Sequence, residues 1–378
     1  MKIGILTQPL HTNYGGLLQA FALQQVLIRR GHEVLTVDIP FRRTKLMELK
    51  GIVYRSLTKI LDRQADPIFS FRPTKEEMAV VAQHTRRFIK ENIQTSERIP
   101  WVEDISRLKQ YNFEAYVVGS DQVWRPKYSP GISTFFLDFL KGEAPVKRIA
   151  YAASFGTDKW EFKADEAQLC KQLAKRFDAI SVREDSAVSQ CREKFDVAAI
   201  QVPDPTLLLD QQDYVQLIHK DKVAEKKNSL MLYLLDQSPE KKAVVDQVNQ
   251  ELSLEVNSVM PAKKLSRETR HTVEDCVFPP VTEWLRGFMD AEFVVTDSFH
   301  GTIFSLIFQK PFLAIGNTHR GLSRFTSLLK LFELEERLVV PGQDFKFQSL
   351  APIDFSKVES ILARERERAF KFLSDSGL

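Results

Sequence analysis

The amino-acid sequence predicts an α/β protein made of two doubly wound domains, and three observations support this. The chain has 378 residues, more than one domain of ordinary size needs. Short apolar runs alternate with helical patterns throughout, as in parallel α/β sheets. The series restarts after Pro203-Asp204-Pro205. We expect one domain over residues 1–205, a second over 206–345, and a charged C-terminal helix over 346–378 that packs back on the first.

The first half opens with a predicted strand at residues 2–6, a loop, and a helix from about Leu17 to Arg30. Gly31 suits the end of that helix, and a strand at 34–38 completes a βαβ unit. The other strands predicted in this half lie at 116–118, 148–153, 179–182 and near 197–202.

The second half continues the alternation to the C-terminus. Strands are predicted at 230–235, 254–259, 293–296 and 311–315, and helices at about 239–252, 282–290, 302–309 and 356–374. Ligands of doubly wound sheets bind beyond the carboxyl ends of the strands. Functional residues are therefore expected in the loops that leave these strands.

Composition excludes several classes of protein. The chain is 43% hydrophobic and 27% charged, which fits a globular protein and not a disordered one. Its net charge of +3 gives no global field for nucleic acid. Three cysteines without a CxxC pair make neither a disulfide framework nor a closed zinc site, and they suit a reducing cytoplasm. The N-terminus lacks a signal-peptide layout, and no apolar run is long enough to span a membrane.

The loop after the first strand ends with Asn13, Gly15 and Gly16 before a helix. Paired glycines let the backbone approach a ligand, and the helix start favours an anion or a polar sugar group. The spacing is not GxGxxG, so a dinucleotide site is not indicated. The alternative interpretation is a tight turn that only joins strand to helix.

The loop after strand 116–118 contains Ser120, Asp121 and Trp124. Small residues with one carboxylate and an aromatic ring suit a sugar site, in which the carboxylate bonds hydroxyls and the indole stacks on a ring face. The alternative is an Asx-type turn followed by a tryptophan of the core.

Two further loops carry groups suited to an anion. Arg183 follows a strand, where its guanidinium can clamp a carboxylate or phosphate, unless it forms a surface pair with Glu184 or Asp185. Ser298 or Asp297 can cap the next apolar helix, which places His300 at the helix start. His300 is either a proton-transfer group or a hydrogen-bonded structural residue.

Arg320 and Arg324 lie four residues apart on a turn or helix start. Together they can grip an anion, or they belong to a solvated basic face. Residues 42–63 form a basic amphipathic pattern with a charge of +5, which suits either an anionic membrane surface or packing on its own domain.

These loops together resemble the polysaccharide pyruvyl transferase family. The matching pieces occur in order and include Asn13-Tyr14-Gly15-Gly16, Val118-Gly119-Ser120-Asp121 and Ser181-Val182-Arg183-Glu184. Asp204-Pro205-Thr206, Thr296–Gly301 and Arg320–Leu329 follow. Many members have arginine two positions before the histidine, where this chain has Ser298.

The resemblance implies two Rossmann-like domains facing a cleft, similar to GT-B glycosyltransferases. It also implies transfer of the carboxyvinyl unit of phosphoenolpyruvate onto two hydroxyls of a sugar, with release of phosphate and no metal or organic cofactor. The acceptor would be a saccharide of a polysaccharide or lipid-linked precursor, at the cytoplasmic face of a membrane. Arg183 and His300 match residues that handle phosphoenolpyruvate. Arg320 or Arg324 would replace the missing arginine.

His300 would protonate the donor or stabilise the leaving phosphate, and Asp121 would orient or deprotonate an acceptor hydroxyl. Two alternative functions are compatible with the same residues. One is a nucleotide-sugar glycosyltransferase of the same architecture, and the other is a saccharide-binding protein without catalysis.

Overall fold

A computed structural model describes residues 1–39, 71, 73–100, 102–129, 131–140, 146–317, 321–343 and 345–378. The basic segment 42–63 and Arg320 therefore lie outside the described residues. Among the helices that are described, none combines the length and the apolar character needed to cross a bilayer.

The first sheet contains six parallel strands in the order β2-β1-β3-β4-β5-β6. Its strands are nearly all buried runs of small and branched apolar residues, as expected for strands covered on both faces. They are β1 (Lys2–Leu6), β2 (Glu33–Thr36), β3 (Ala115–Val118), β4 (Lys147–Ala153), β5 (Ala179–Val182) and β6 (Ile200–Gln201).

The second sheet contains five parallel strands in the order β11-β10-β9-β7-β8. They are β7 (Ser229–Tyr233), β8 (Glu255–Ser258), β9 (Ala291–Thr296), β10 (Phe312–Ile315) and β11 (Leu338–Val339). The two doubly wound parallel sheets confirm the predicted fold class.

Eleven α-helices occur in the described part of the chain. In the first half these are α1 (Tyr14–Arg29), α2 (Lys75–Val81), α3 (Gln83–Asn92), α4 (Ala164–Ala174) and α5 (Asp185–Gln190). In the second half they are α6 (Gln211–Lys220), α7 (Pro239–Leu252), α8 (Val281–Asp290), α9 (Phe299–Ile307), α10 (Ser323–Phe332) and α11 (Phe355–Asp375).

Strand order fixes where each sheet can bind a ligand. In the first sheet, β1 lies between β2 and β3, so the connections reverse direction between β1 and β3. In the second, the same reversal occurs between β7 and β9. Loops diverge at such a switch point and leave a crevice. The loops after β1, β3, β7 and β9 are therefore the ones that can form a site.

The C-terminal helix α11 reaches the first domain. Arg30 at the end of α1 donates two hydrogen bonds to the Leu378 backbone carbonyl, at 3.0 and 2.6 Å. Lys147 donates to the Ser376 carbonyl at 2.9 Å. Arg366, in the middle of the helix, donates to the carbonyls of Leu207 and Leu209 on the connection between the sheets. The helix thereby ties the second half of the chain to the first.

Two helix boundaries differ from the predicted ones for the same reason. The helix predicted from about Leu17 begins at Tyr14, and the helix predicted at 302–309 begins at Phe299. In both, a polar residue caps the first turn, Asn13 in one and Ser298 in the other. The apolar pattern starts later than the hydrogen bonds do, because the first turn contains small or polar residues.

Candidate functional site

The switch points of the two sheets meet at a cleft of about 240 Å³. Its walls come from the loops after β1, β3, β7, β9 and β10 and from the start of α10. The residues that line it are Asn13, Asp121, Gln122, Tyr128, Leu235, Asp297, Ser298, Phe299, His300, Asn317, Arg324 and Phe325. Five of the predicted site residues are among them: Asn13, Asp121, Ser298, His300 and Arg324.

His300 lies in the first turn of α9. Ser298 is the N-cap of this helix, and its Oγ accepts the Gly301 N–H at 3.3 Å. The His300 side chain is only 7% exposed, and no hydrogen-bond partner satisfies its Nε2. His300 therefore lines the cleft, while its buried Nε2 faces the Asp204 carboxylate at 3.5 Å.

Gly15 brings the two domains together at His300. A Cβ on Gly15 would lie 2.2 Å from His300 Nδ1, so the imidazole occupies the space of a side chain. A Cβ on Gly16 would meet only Asn13, at 3.4 Å. Asn13 Oδ1 accepts the Gly16 N–H at 3.2 Å and caps α1. Gly15 therefore serves a close contact between protein groups, and Asn13 both caps the helix and lines the cleft.

Asp204 lies at the centre of the site, although the sequence indicated for it no role beyond a domain boundary and a piece of the family pattern. It is fully buried, and its Oδ2 accepts from Arg183 at 2.8 Å and from the Ser120 hydroxyl at 3.2 Å. The same oxygen is 3.5 Å from His300 Nε2. The backbone N–H and hydroxyl of Thr206 donate to Oδ1. One carboxylate thus contacts groups from both domains.

The electrostatics of Asp204 follow from these contacts. Burial raises the pKa of this carboxyl, but the nearby His300 and Arg183 outweigh burial and hold the pKa well below its usual value. Asp204 is therefore ionised at neutral pH. The Pro203-Asp204-Pro205 pattern was the available signal, because a carboxylate between two prolines at a domain junction is held rigidly.

Arg183 is buried beneath the cleft and not paired on the surface as in the alternative interpretation. Its side chain is 2% exposed, and it lies 3.5 Å from Asp121 and 3.7 Å from Glu184. Its Nε and Nη2 have no hydrogen-bond partner. The guanidinium packs on the Phe299 ring at 4.3 Å from the centroid. The sequence therefore predicted Arg183 as an anion-binding residue, but it did not predict that the side chain is buried.

Glu184 and Ser120 complete the buried shell. Burial raises the pKa of Glu184, against the opposing effects of Arg183 and the Ser154 hydroxyl. Ser120 is fully buried, and its hydroxyl donates to Asp204 and to the Ala152 carbonyl. The structure therefore places Ser120 behind the cleft wall, where it supports Asp204.

Arg324 brings a second guanidinium to the cleft from the first turn of α10. Its centre is 5.8 Å from the Phe299 ring, on which Arg183 also packs. Its Nε is buried without a hydrogen-bond partner among the described residues. Burial and the like charge of Arg183 outweigh the nearby carboxylates of Asp121 and Glu184 and lower the pKa of Arg324 to about 10, so it remains a cation at neutral pH.

Trp124 belongs to the core, as the alternative interpretation proposed. It is fully buried, stacks on Phe136 at 4.8 Å between centroids, and donates its indole N–H to the Phe135 carbonyl. Asp121 lines the cleft, and its side chain accepts the N–H of the next residue, Gln122, at 2.9 Å, not the N–H two residues on as in an Asx turn. The aromatic residue that reaches the cleft from this loop is Tyr128.

A buried lysine on the second domain was not predicted. Lys241 in the first turn of α7 donates to Asp297 at 2.5 Å and also pairs with Asp236. The other oxygen of Asp297 accepts the Leu235 N–H at 2.7 Å. These bonds tie the loop after β7 to the loop after β9, so that wall of the cleft is rigid. Among the described residues, no cluster of three or more histidine, cysteine or acidic side chains suits a metal ion.

Comparisons with solved structures give matches along the whole chain at low identity. The chain is similar to UDP-GlcNAc 2-epimerase from Neisseria meningitidis bound to UDP-GlcNAc, at 10% identity and a TM-score of 0.44, covering 97% of this chain and 100% of that chain. It is also similar to S. aureus MnaA in complex with UDP, at 11% identity and a TM-score of 0.47, covering 100% and 91%. A glycosyltransferase from Rickettsia africae ESF-5 matches at 11% identity and a TM-score of 0.44, covering 98% and 93%.

No curated protein sequence gives a significant match. A family model does, over residues 13–319, which include the residues that line the cleft except Arg324 and Phe325. Its description is polysaccharide pyruvyl transferase. The match covers most of the chain, and it agrees with the resemblance drawn from the separate sequence motifs. The chain belongs to the polysaccharide pyruvyl transferase family.

Proposed function

We propose that the cleft binds phosphoenolpyruvate and transfers its carboxyvinyl unit onto two hydroxyls of a saccharide, releasing phosphate. The observation that carries this proposal is the Nε of Arg324, which is buried on the cleft wall without a hydrogen-bond partner among the described residues. A buried donor without a hydrogen-bond partner is costly, and an anion bound there removes that cost. Arg183 adds positive charge from beneath, and the N-terminus of α9 favours an anion at the same place.

The carboxylate and phosphate of the donor need different partners. We place one of the two groups on Arg324 and the start of α9, where Ser298 leaves room that an arginine would occupy. His300 is the histidine of this wall, and histidine is the side chain that most often serves as a general acid or base. Asp204 and Gly15 hold its ring in place from two sides. His300 therefore acts as the acid that protonates the CH₂ carbon.

The reaction then balances without a cofactor. His300 gives a proton to the CH₂ carbon, and an acceptor hydroxyl adds to the neighbouring carbon while losing its own proton. The carbon–oxygen bond to phosphate breaks, and a second hydroxyl closes the ketal and releases a proton that restores the acid. Asp121, across the cleft from the second domain, orients the hydroxyl or takes up its proton. A well-placed acid or base contributes about 10²–10⁴ in rate.

Calorimetric titration with phosphoenolpyruvate tests the donor site. We expect Arg324→Ala to weaken binding by about tenfold or more, because it removes a cation from the cleft wall. Lys330→Ala is the matched control, since it removes an exposed cation from the same helix, and it should bind as wild type does. Equal affinities for wild type and Arg324→Ala, or heat from nucleotide sugars and none from phosphoenolpyruvate, would overturn the proposal.

The charge on Arg324 also predicts the pH dependence of binding. Its pKa is lowered to about 10 in the free protein, so the cation is present below that pH and is lost as pH rises through it. Affinity for phosphoenolpyruvate should therefore fall between about pH 9 and pH 11 in the wild type. An affinity that stays constant over this range would show that Arg324 does not bind the donor.

We further propose that the acceptor is lipid-linked, because the sequence of segment 42–63 is strongly basic. A segment of this charge would bind anionic lipid and bring the protein to the membrane. Flotation with liposomes containing anionic lipid should carry the protein to the top of the gradient, and neutral liposomes should not. Absence of binding to both would remove membrane contact and leave the transferase proposal in place.

A further inference from the structure

An aromatic ring lines the cleft on its first-domain side. Tyr128 lies in the turn after β3, seven residues beyond Asp121, and is partly exposed on the same wall. Within the described part of the chain, no group hydrogen-bonds its hydroxyl. In the proposed reaction, cations and ionisable groups hold the donor, which leaves this ring available for a different ligand.

Arg125 fixes the orientation of the ring. Its guanidinium is 4.6 Å from the Tyr128 ring centroid, a distance typical of a cation–π contact. Arg125 is itself 3% exposed and donates to both carboxylate oxygens of Glu161, at 2.9 and 2.8 Å, and to Gln122 at 3.0 Å. One face of the tyrosine is therefore covered by a cation that cannot easily move.

The other face of the ring has no stacking partner among the described aromatic and cationic residues. On the opposite wall stands Leu235, which is 42% exposed although it is a large apolar residue. Its backbone N–H is held by Asp297. A rigid aromatic face and an exposed leucine thus line one cleft from opposite domains. Both are apolar surfaces that a ligand can cover.

We propose that Tyr128 is the platform for a pyranose ring of the acceptor, with Leu235 contacting the ring from the other wall. A pyranose has apolar C–H faces and a rim of hydroxyls. Its C–H face would lie on the tyrosine while the rim presents hydroxyls to Asp121, where the ketal forms. This inference rests on the proposed function, in which the acceptor is a saccharide. Trp124, the ring indicated by the sequence, is in the core and cannot serve.

Saturation-transfer NMR with methyl pyranosides of the common hexoses and N-acetylhexosamines, in the presence of phosphoenolpyruvate, tests this platform. We expect ring C–H protons of at least one pyranoside to receive saturation from the wild type. Tyr128→Phe keeps the ring and should retain the signal. Tyr128→Ala should lose it, with affinity lowered by about tenfold or more. Thermal unfolding of both variants establishes that they are folded.

Two results would overturn the platform: an unchanged signal in Tyr128→Ala, or no pyranoside contact with folded wild-type protein. Titration of phosphoenolpyruvate on the same samples separates this inference from the proposed function. Donor binding without pyranoside binding contradicts the platform alone. Pyranoside binding that depends on Tyr128 but without donor binding contradicts the transferase proposal alone.

Discussion

Asp204 connects the chemistry of the two domains through a single carboxylate. It accepts a hydrogen bond from Arg183 in the first domain, and it lies 3.5 Å from His300 of helix α9 in the second domain. The sequence motif containing His300 indicated a site, because histidine at a helix start is a recognisable pattern. The role of Asp204 could not be predicted in the same way, because its partners are distant in sequence and meet only when the domains dock.

A substitution at Gly15 tests whether the position of the His300 ring matters for turnover. Gly15→Ala would place a Cβ within 2.3 Å of the imidazole and displace His300, so we expect turnover to fall by about 10²-fold or more. Gly16→Ala, one position along in the same helix turn, meets only Asn13 at 3.4 Å and should retain activity. Steady-state kinetics compare the turnover of the two variants with that of the wild type. Equal turnover in the two would mean that the position of His300 is not critical.

At the scale of elements, the first turn of α9 combines a structural and a binding role. Ser298 caps this helix and also lines the cleft. The apolar strand β9 and the apolar helix after it were predicted from their patterns. The first residue of α9 was not predicted correctly, because capping depends on side-chain hydrogen bonds that hydrophobic periodicity does not report.

Two substitutions at Ser298 should separate these roles. Ser298→Ala removes the cap and should destabilise the protein by about 1 kcal/mol, while phosphoenolpyruvate binding changes little. Ser298→Asp keeps a capping oxygen but brings a negative charge to the proposed anion site, so binding should weaken with little loss of stability. Thermal unfolding and calorimetry measure the two effects. If Ser298→Asp binds the donor as tightly as wild type, the anion does not lie at this helix start.

For the whole molecule, the fold class was predictable because parallel strands and their helices leave a strong alternating pattern. The burial of Arg183 and the partial exposure of Tyr128 could not be predicted, since both depend on how the two domains pack against each other. The connection between the sheets is held by α11, whose Arg366 bonds two backbone carbonyls near Asp204. The C-terminal helix therefore contributes to the geometry of the cleft from outside it.

Arg366→Ala should destabilise the molecule by about 1–3 kcal/mol, because two carbonyls and Asp210 lose a charged donor. Arg364→Ala is its control, since that side chain is 64% exposed and its removal should cost less than about 0.5 kcal/mol. Chemical denaturation of the two variants gives the comparison. Equal stability would show that α11 does not hold the connection between the domains.

Transfer of the carboxyvinyl unit is tested by an assay that follows both products of the reaction at once. Purified protein is incubated with phosphoenolpyruvate and the pyranosides, phosphate release is measured, and the saccharide is examined by mass spectrometry. We predict one phosphate released for each ketal formed, and neither product with His300→Ala. The proposed transfer would be contradicted by a modified saccharide without phosphate release or by phosphate release without a ketal. Full turnover by His300→Ala would contradict the role of His300.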